Sequence, residues 1–222
     1  MDVPPRVAET AAALALRIEA LPPADRRRLI AIAGPPGAGK STLAEAVTAA
    51  LVARGHGAAL LPMDGFHLDN RLLEPRGLLP RKGAPESFDF DGFAATLARV
   101  RTEPRVILPV FDRARDIAIA GAAEIGPGTR LVVVEGNYLC LDEDPWRRLG
   151  PLWDHSVFLD VPMPELERRL VQRWRNHGLD PAAARARALG NDIPNARRVV
   201  ERRGPVGQVI GDRGGQAGAE GG

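Results

Sequence analysis

Residues 29–42, LIAIAGPPGAGKST, decide the fold of this 222-residue chain. The apolar run at 29–33 predicts a buried strand, and residues 40–54 predict the helix that follows it. Between them, GPPGAGKS at 34–41 matches the phosphate-loop pattern G-x-x-x-x-G-K-[ST] in full. Backbone amides of such a loop, together with the positive end of the helix, bind phosphate groups. The stretch therefore predicts a nucleotide site at the end of a strand.

The chemistry of phosphate binding assigns roles within this loop. We expect Lys40 to reach the β- and γ-phosphates, the Ser41 hydroxyl to bind Mg²⁺ and Thr42 to meet the α-phosphate. Neither of the two lysines, Lys40 and Lys82, lies in an Asn-Lys-x-Asp base-reading motif, which argues against a Ras-type GTPase, and we expect ATP to be accepted and GTP not to be strongly favoured. The predicted nucleotide contacts are Gly34, Pro35, Pro36, Gly37, Ala38, Gly39, Lys40, Ser41 and Thr42.

Composition limits the remaining possibilities. The chain fits one domain, and its 45% hydrophobic residues suffice for a sizeable core. It has no run of 18 apolar residues and no signal-peptide pattern, and its single cysteine excludes an internal disulfide. A net charge of +2 gives little support for nucleic-acid binding. We expect a cytoplasmic protein with a small-molecule partner and no membrane partner, and a homodimer is left open.

The order of predicted elements gives the fold class. Strands at 29–33, 58–62, 131–135 and 156–161 alternate with helices, which predicts an α/β protein with a parallel sheet covered on both faces. We expect a single P-loop domain over residues 1–203, with a small lid at about 163–190 and an acceptor-binding insert. The Gly-rich segment 204–222 is predicted to be a disordered tail.

Two carboxylates follow predicted strands. Asp64 comes just after the strand at 58–62, where it can align or deprotonate a hydroxyl and help hold Mg²⁺ through water. Glu135 ends the apolar run LVVVE, and burying it there is costly unless Mg²⁺-bound water or Lys40 is its partner. We therefore predict Ser41, Asp64 and Glu135 as the metal-side residues, although an Asp-Gly turn or a salt-bridged strand end would account for the carboxylates without function.

Five segments, in this order, carry a family resemblance: GPPGAGKS, MDGFH at 63–67, RKGAPESFDFDGF at 81–93, PVFDRARD at 109–116 and VVVEGNY at 132–138. Together they resemble the phosphoribulokinase/uridine kinase family of P-loop kinases, which includes bacterial pantothenate kinase. The resemblance is greatest to nucleoside/nucleotide kinase-like and fructose-transport-associated members. It implies that Asp64 is the catalytic base and that Glu135 assists the metal.

The same resemblance locates an acceptor pocket in the 64–90 region and the PVFD turn. Its polar groups suit a polyol, a sugar or a phosphorylated acceptor, although Phe111 replaces the Tyr typical of uridine kinases. An Arg-rich helix at 165–175 would supply lid arginines to the phosphate, and Arg169 and Arg173 share one of its faces. Trp174 and Leu170 are predicted to belong to the core. The acceptor candidates are His67, Arg81, Lys82, Asp112 and Arg113, with Asn70, Phe88, Asp89 and Arg115 behind them; Asn191, Asp192 and Asn195 are candidates beside the nucleotide.

The sequence thus predicts an ATP- and Mg²⁺-dependent kinase that phosphorylates a hydroxyl of a sugar, a nucleoside or a pantothenate-like alcohol. One alternative is a nucleotide-binding regulatory module with slow ATPase activity, which would need neither Asp64 nor the long 64–90 segment. Another is a P-loop chaperone or metal-delivery GTPase, and the absence of its Cys motif argues against it.

Overall fold

The computed structural model describes residues 4–211, and the helices and strands follow the alternation that the sequence predicts. No helix in this range is long and apolar enough to cross a membrane. The elements are α1 (Pro5–Glu19), β1 (Arg28–Ala33), α2 (Lys40–Ala53), β2 (Ala58–Pro62), α3 (Asn70–Leu73), α4 (Phe90–Thr102), β3 (Val106–Asp112), β4 (Ile117–Ile125), β5 (Leu131–Gly136), β6 (His155–Asp160), α5 (Met163–Asn176), α6 (Pro181–Arg187), α7 (Ile193–Glu201) and β7 (Gln208–Gly211).

Five strands form one parallel sheet in the order β2-β5-β1-β6-β7. The central strand β1 pairs with β5 so that Ile32 lies opposite Glu135. Because parallel strands end at the same edge, the loops after β1, β2, β5 and β6 all meet there. The predicted α/β fold with a parallel sheet is confirmed, and β3 and β4 form a separate antiparallel hairpin.

Alternating side chains of β1 supply two cores, one on each face of the sheet. Leu29, Ala31 and Ala33 belong to one core, which α4 and the β3–β4 hairpin cover. Ile30 and Ile32 belong to the other, which is covered by α1, α2 and α5. Every one of these side chains is fully buried. Helices therefore lie on both faces, and the functional groups are left at the strand ends.

The predicted loop at 64–90 is an ordered segment anchored by an aromatic cluster. Trp146 is buried and its ring meets those of Phe88, Phe90 and Tyr138, with centroids 5.3–5.9 Å apart. Within the segment, the backbone forms three 3₁₀ turns and the short helix α3. Hydrophobic packing, rather than regular secondary structure, therefore holds this part of the chain.

The prediction of a disordered tail from residue 204 is wrong for its first part. Residues 208–211 form β7, which pairs in parallel with β6 at the edge of the sheet. Val209 and Ile210 supply the strand character that the glycine content of the segment obscured. The rest of the predicted tail, residues 212–222, lies outside the described residues.

Arg27 ties the beginning of β1 to two other parts of the chain. Its guanidinium is buried and donates only to backbone carbonyl groups, at the end of α4 and in the loop between β4 and β5. A cation is favourable at the C-terminal end of a helix, where carbonyl oxygens lack partners. The acceptors are the carbonyl oxygens of Val100 at 3.0 Å, Glu103, Pro104 at 2.5 Å, Gly126 at 2.8 Å and Thr129 at 2.9 Å.

We predict that Arg27→Met lowers the free energy of unfolding by about 2 kcal/mol or more, because it leaves several buried carbonyl oxygens without donors. Urea unfolding followed by circular dichroism measures the change. Arg26→Met is the matched control, since Arg26 is half exposed and its ion pair with Asp154 should contribute less than about 1 kcal/mol. Equal losses in the two variants would contradict the structural role of Arg27.

Candidate active site

The phosphate loop has the backbone that its glycines permit. Gly37 and Gly39 have φ angles of 81° and 89°, and α2 begins at the next residue, Lys40. A Cβ at Gly34 would lie 2.9 Å from the carbonyl oxygen of Leu159 in β6, so a larger residue does not fit there. The loop therefore combines close strand packing with a helix N-terminus, which is the arrangement that binds phosphate.

Lys40, Ser41 and Glu135 meet at the ends of β1 and β5. The Ser41 hydroxyl donates to Glu135 Oε2 at 3.2 Å, and Lys40 Nζ donates to the Pro35 carbonyl at 2.9 Å. Burial lowers the pKa of Lys40 to about 8, against the opposing effect of Glu135. Burial likewise raises the pKa of Glu135, while Lys40 lowers it. A cation and a carboxylate thus share a poorly solvated site beside the phosphate loop.

Asp64 lies in the 3₁₀ turn Met63–Phe66 directly after β2. Its Oδ2 accepts from Arg113 Nη2 at 2.6 Å, and Arg113 is on the turn of the β3–β4 hairpin. Burial has the largest effect on the pKa values of Lys40 and Glu135, and the negative charge of Asp64 raises both of them. The turn therefore brings a carboxylate close to the phosphate end of the site.

The predicted metal-side residues suit Mg²⁺ better than a cation that needs a complete protein cage. Within residues 4–211 no group of three or more His, Cys, Asp or Glu side chains could hold a metal ion by itself. Mg²⁺ usually takes one or two carboxylates together with substrate phosphates and water. Ser41, Glu135 and Asp64 provide such a partial set, and bound Mg²⁺ would neutralise charge on the phosphates.

A second wall of the site joins the ordered 64–90 segment to the hairpin. His67 Nδ1 lies 2.8 Å from the Asp64 carbonyl oxygen, and its ring is held between Phe88 and Phe111 at centroid distances of 4.0 and 4.5 Å. Burial lowers the pKa of His67. Lys82 Nζ lies 5.5 Å from the centroid of the Phe111 ring. The Phe111 ring therefore contacts both His67 and Lys82, two of the predicted acceptor residues.

Asp116 is a site residue that the sequence reasoning missed. Its carboxylate oxygen Oδ2 and its carbonyl oxygen accept from Lys82 Nζ at 2.8 and 2.7 Å. Its φ of 56° is rare for a residue other than glycine, although Asp tolerates it better than most. The motif PVFDRARD contains Asp116, but no sequence signal distinguishes it from the preceding Asp112.

Two predicted acceptor residues, Asp112 and Arg81, do not line the cleft that the structure describes. Asp112 Oδ1 accepts from the backbone amides of Ala114 and Arg115 at 3.0 Å, so this carboxylate shapes the hairpin turn. Arg81 extends toward Asn195, with 3.4 Å between Nη2 and Oδ1. The prediction for Asp112 is therefore corrected, because the turn geometry directs this carboxylate to backbone amides. Arg81 reaches the cleft residue Asn195 without lining the cleft itself, and its role toward an acceptor stays a prediction.

The predicted lid residues divide between the cleft and its surroundings. Arg173 lines the cleft, whereas Arg169 contacts Glu165 at 2.6 Å and the Gly37 carbonyl at 3.4 Å. Leu170 is buried in the core as predicted, and Trp174 is partly buried and packs against the same core. Trp174 lines the cleft, and its Nε1 donates to Asp192 Oδ2 at 2.5 Å. Closure of α5 and α6 as a lid stays a prediction.

Asn191 and Asn195, two of the predicted nucleotide-side residues, are buried beside the ordered 64–90 segment. We call that segment the acceptor segment. Asn191 lies within a π-helical turn at 188–192, and its amide donates to the Lys82 carbonyl oxygen at 2.8 Å. Asn195 donates to Asn191 at 3.1 Å and also lines the cleft. These amides link the 64–90 segment to the π-helical turn at 188–192 and to α7.

The walls enclose one cleft of about 970 Å³. The phosphate loop lies at one part of it, the Asp64 and Lys82 wall at another, and Trp174 with its neighbours on α5 and α6 at a third. Its lining residues are Pro36, Gly37, Gly39, Lys40, Ser41, Thr42, Asp64, His67, Leu79, Lys82, Gly83, Phe111, Arg113, Asp116, Glu135, Gly136, Asn137, Arg173, Trp174, His177, Leu179, Arg187, Asp192 and Asn195.

Comparison with known proteins agrees with this architecture. A protein of Escherichia coli K12, YggC, is 36% identical over 79% of this chain and 73% of its own length. The ATP-dependent kinase-like protein notR' of Aspergillus versicolor is 35% identical over 67% of this chain and 92% of its own length. A crystal structure from Silicibacter sp. TM1040, provisionally assigned as a fructose transport system kinase, is 56% identical with a TM-score of 0.87, covering 90% of this chain and 98% of that one.

The chain belongs to the phosphoribulokinase/uridine kinase family of P-loop kinases. The family resemblance drawn from the sequence motifs is thereby confirmed. Membership in this kinase family supports a small-molecule kinase in general terms and does not specify the acceptor.

One family model matches only the first part of the chain. The methylmalonyl-CoA mutase-associated GTPase MeaB model aligns with residues 4–66, which run from α1 through the phosphate loop to the Asp64 turn. This region contains the strand–loop–helix unit that P-loop proteins of different classes share. The kinase-like protein notR' aligns with 67% of the chain and the Silicibacter structure with 90% of it, so the kinase family accounts for more of the chain than the GTPase model does.

We predict that nucleotide affinity depends on pH through Lys40. Its pKa is lowered to about 8 in the free protein, and bound phosphates favour the charged ammonium. Affinity should therefore be constant up to about pH 7 and weaken above about pH 8, by as much as about tenfold per pH unit. Calorimetric titration of ATP·Mg²⁺ from pH 6.5 to 9.5 measures it. Lys40→Arg, which stays charged, should remove the decline; an unchanged affinity up to pH 9.5 in the wild type would contradict the prediction.

Proposed function

We propose that this protein is an ATP-dependent kinase that transfers the γ-phosphate to a hydroxyl group of a small molecule. The single observation that carries the proposal is that one cleft contains both the phosphate loop and the Asp64 wall. A volume of about 970 Å³ is large enough for a nucleotide and a small acceptor together. A module that only binds or slowly hydrolyses ATP has no need of the second wall.

In the proposed reaction Asp64 aligns the acceptor hydroxyl and takes its proton. The hydroxyl oxygen forms the new bond to the γ-phosphorus while the bond to the β,γ-bridging oxygen breaks, and ADP leaves. Lys40 and the predicted lid residues Arg169 and Arg173 would compensate the charge on the transferred phosphate, because positioning and charge neutralisation dominate phosphoryl transfer.

The acceptor is open among sugars, nucleosides and pantothenate-like alcohols. The provisional assignment of a 56% identical relative to fructose transport favours a sugar. The charged and aromatic lining around Phe111 suits any polyhydroxylated molecule of that size. Screening these three acceptor classes for ATP-dependent phosphorylation is the experiment that identifies the acceptor.

We predict that Asp64→Asn reduces kcat for phosphoryl transfer by about 10²–10⁴, because an amide cannot take the hydroxyl proton. ATP·Mg²⁺ affinity should weaken only modestly, since we expect Asp64 to reach the metal only through water. A coupled assay with the accepted alcohol measures turnover, and calorimetry measures nucleotide binding. Asp91→Asn is the matched control, because that carboxylate is exposed and lies 3.7 Å from its partner Arg148.

Three results would argue against this role. Near-normal transfer by Asp64→Asn would leave Asp64 as a turn residue only. A loss of nucleotide binding as large as the loss of turnover would make it chiefly a metal-side or structural residue. ATP hydrolysis that needs no acceptor and is unchanged in the variant, with no acceptor found, would favour the regulatory-module alternative.

We also predict that ATP is accepted and that GTP is not strongly favoured, because no Asn-Lys-x-Asp motif surrounds either lysine. The ratio of kcat/KM for the two nucleotides tests this with the same acceptor. A preference for GTP of about a hundredfold or more would contradict the ATP assignment and favour the GTPase-like reading of residues 4–66.

A further inference from the structure

We call the part of the cleft lined by Asp64, His67, Lys82, Phe111, Arg113 and Asp116 the acceptor wall. It has little capacity for an anionic group, because its cations already have partners. Lys82 Nζ has three protons and three acceptors: Asn70 Oδ1 at 2.7 Å, the Asp116 carbonyl oxygen at 2.7 Å and Asp116 Oδ2 at 2.8 Å. The Lys82 side chain is only 10% exposed, so its ammonium faces these oxygens rather than solvent. Lys82 therefore holds the hairpin turn against the acceptor segment and has no donor left for a substrate carboxylate or phosphate.

The second cation of this wall, Arg113, also has a carboxylate partner, Asp64. Its Nη2 lies 2.6 Å from Asp64 Oδ2, so drawing Arg113 toward an anionic acceptor would separate it from the carboxylate that the proposed reaction needs. Lys82 with Asp116 and Arg113 with Asp64 make two opposite-charge pairs. Arg113 is 62% exposed and has further N–H donors, but an anion that used them would lie beside the Asp64 and Asp116 carboxylates and would compete with Asp64 for the same guanidinium.

His67, which lines the same cleft, has a ring nitrogen that can accept a hydrogen bond. Its Nδ1 lies 2.8 Å from the Asp64 carbonyl oxygen, and because a carbonyl oxygen can only accept, Nδ1 carries the proton. A neutral imidazole protonated at Nδ1 has its lone pair at Nε2. The rings of Phe88 and Phe111 fix the plane of the imidazole, so the direction of that lone pair is set by packing.

We propose that the acceptor is an uncharged polyol with two neighbouring hydroxyl groups, and that His67 is a specificity residue that reads one of them through Nε2. The other hydroxyl meets Asp64 and is phosphorylated. The half-buried Phe111 ring offers an apolar surface to the carbon skeleton or to a ring attached to it. This inference rests on the proposed function and narrows its acceptor to molecules without a carboxylate or phosphate beside the reacting hydroxyl.

The first test compares matched acceptors at pH 8, where an ordinary imidazole is neutral. Uncharged sugars, sugar alcohols and ribonucleosides are assayed beside their phosphorylated counterparts, with pantothenate and glycerate as carboxylates. We expect kcat/KM for the preferred uncharged polyol to exceed that for every anionic acceptor by about tenfold or more. A preference for an anionic acceptor would overturn this inference while leaving the kinase function intact. Turnover with no acceptor would overturn both.

The second test isolates the hydroxyl that His67 reads. The preferred polyol and its deoxy analogue, which lacks the neighbouring hydroxyl, are compared in the wild type, in His67→Asn and in His67→Gln. The Asn amide can still donate to the Asp64 carbonyl but does not extend to the Nε2 position, whereas the Gln amide can reach it. In the wild type the deoxy analogue should lose about tenfold in kcat/KM, the order of one hydrogen bond.

In His67→Asn the two acceptors should become nearly equal, with KM raised and kcat changed less than about threefold, and His67→Gln should restore part of the difference. His56→Asn is the matched control, because His56 pairs with Glu19 and does not line the cleft. A full wild-type preference for the hydroxyl in His67→Asn would overturn the assignment of His67. Thermal melting of each variant verifies folding, and ATP·Mg²⁺ affinity should stay at the wild-type value.

Discussion

The burial of Lys40 beside Glu135 is the constraint on which the rest of the structure depends. A lysine and a carboxylate removed from water are tolerable only when each lies near opposite charge and polar partners. The parallel pairing of β1 with β5 meets this requirement, because it ends both strands at one edge and brings the phosphate loop next to Glu135. Phosphates bound there would complete the compensation of Lys40. A buried cation at the N-terminus of α2 fits a protein that binds an anionic nucleotide.

The acceptor wall is held by a different kind of interaction. Aromatic packing around Trp146 fixes the 64–90 segment, and the contact of Lys82 with Asp116 joins that segment to the hairpin. The buried amide of Asn191 then connects the backbone of Lys82 to the π-helical turn before α7. The predicted nucleotide site and the proposed acceptor site therefore have separate supports. The parallel sheet holds the first, and aromatic packing with side-chain hydrogen bonds holds the second.

The sequence predicted the sheet and the phosphate site better than the acceptor wall, for physical reasons. A phosphate loop is a local pattern whose backbone geometry follows from glycine positions, and strands such as β5 are recognisable as continuous apolar runs. Asp116 and Asp112 look alike in the sequence, and only the backbone of the turn decides that one holds Lys82 while the other binds amides. Trp174 packs against the core and also lines the cleft, a double role that the hydrophobicity of the sequence does not reveal. The glycine content after residue 203 concealed β7, whose pairing with β6 is a long-range contact.

The β3–β4 hairpin lies outside the five-stranded sheet, yet it carries Phe111, Arg113 and Asp116 to the acceptor wall. Residues 113–116 form its exposed turn, where changes in length or sequence disturb little of either hydrophobic core. In the proposed kinase, natural variation at this turn would change the choice of acceptor while the phosphate loop stays constant. We therefore expect related kinases to differ most in this hairpin. Transplanting the hairpin from one to another would be the most direct way to exchange their acceptor preferences.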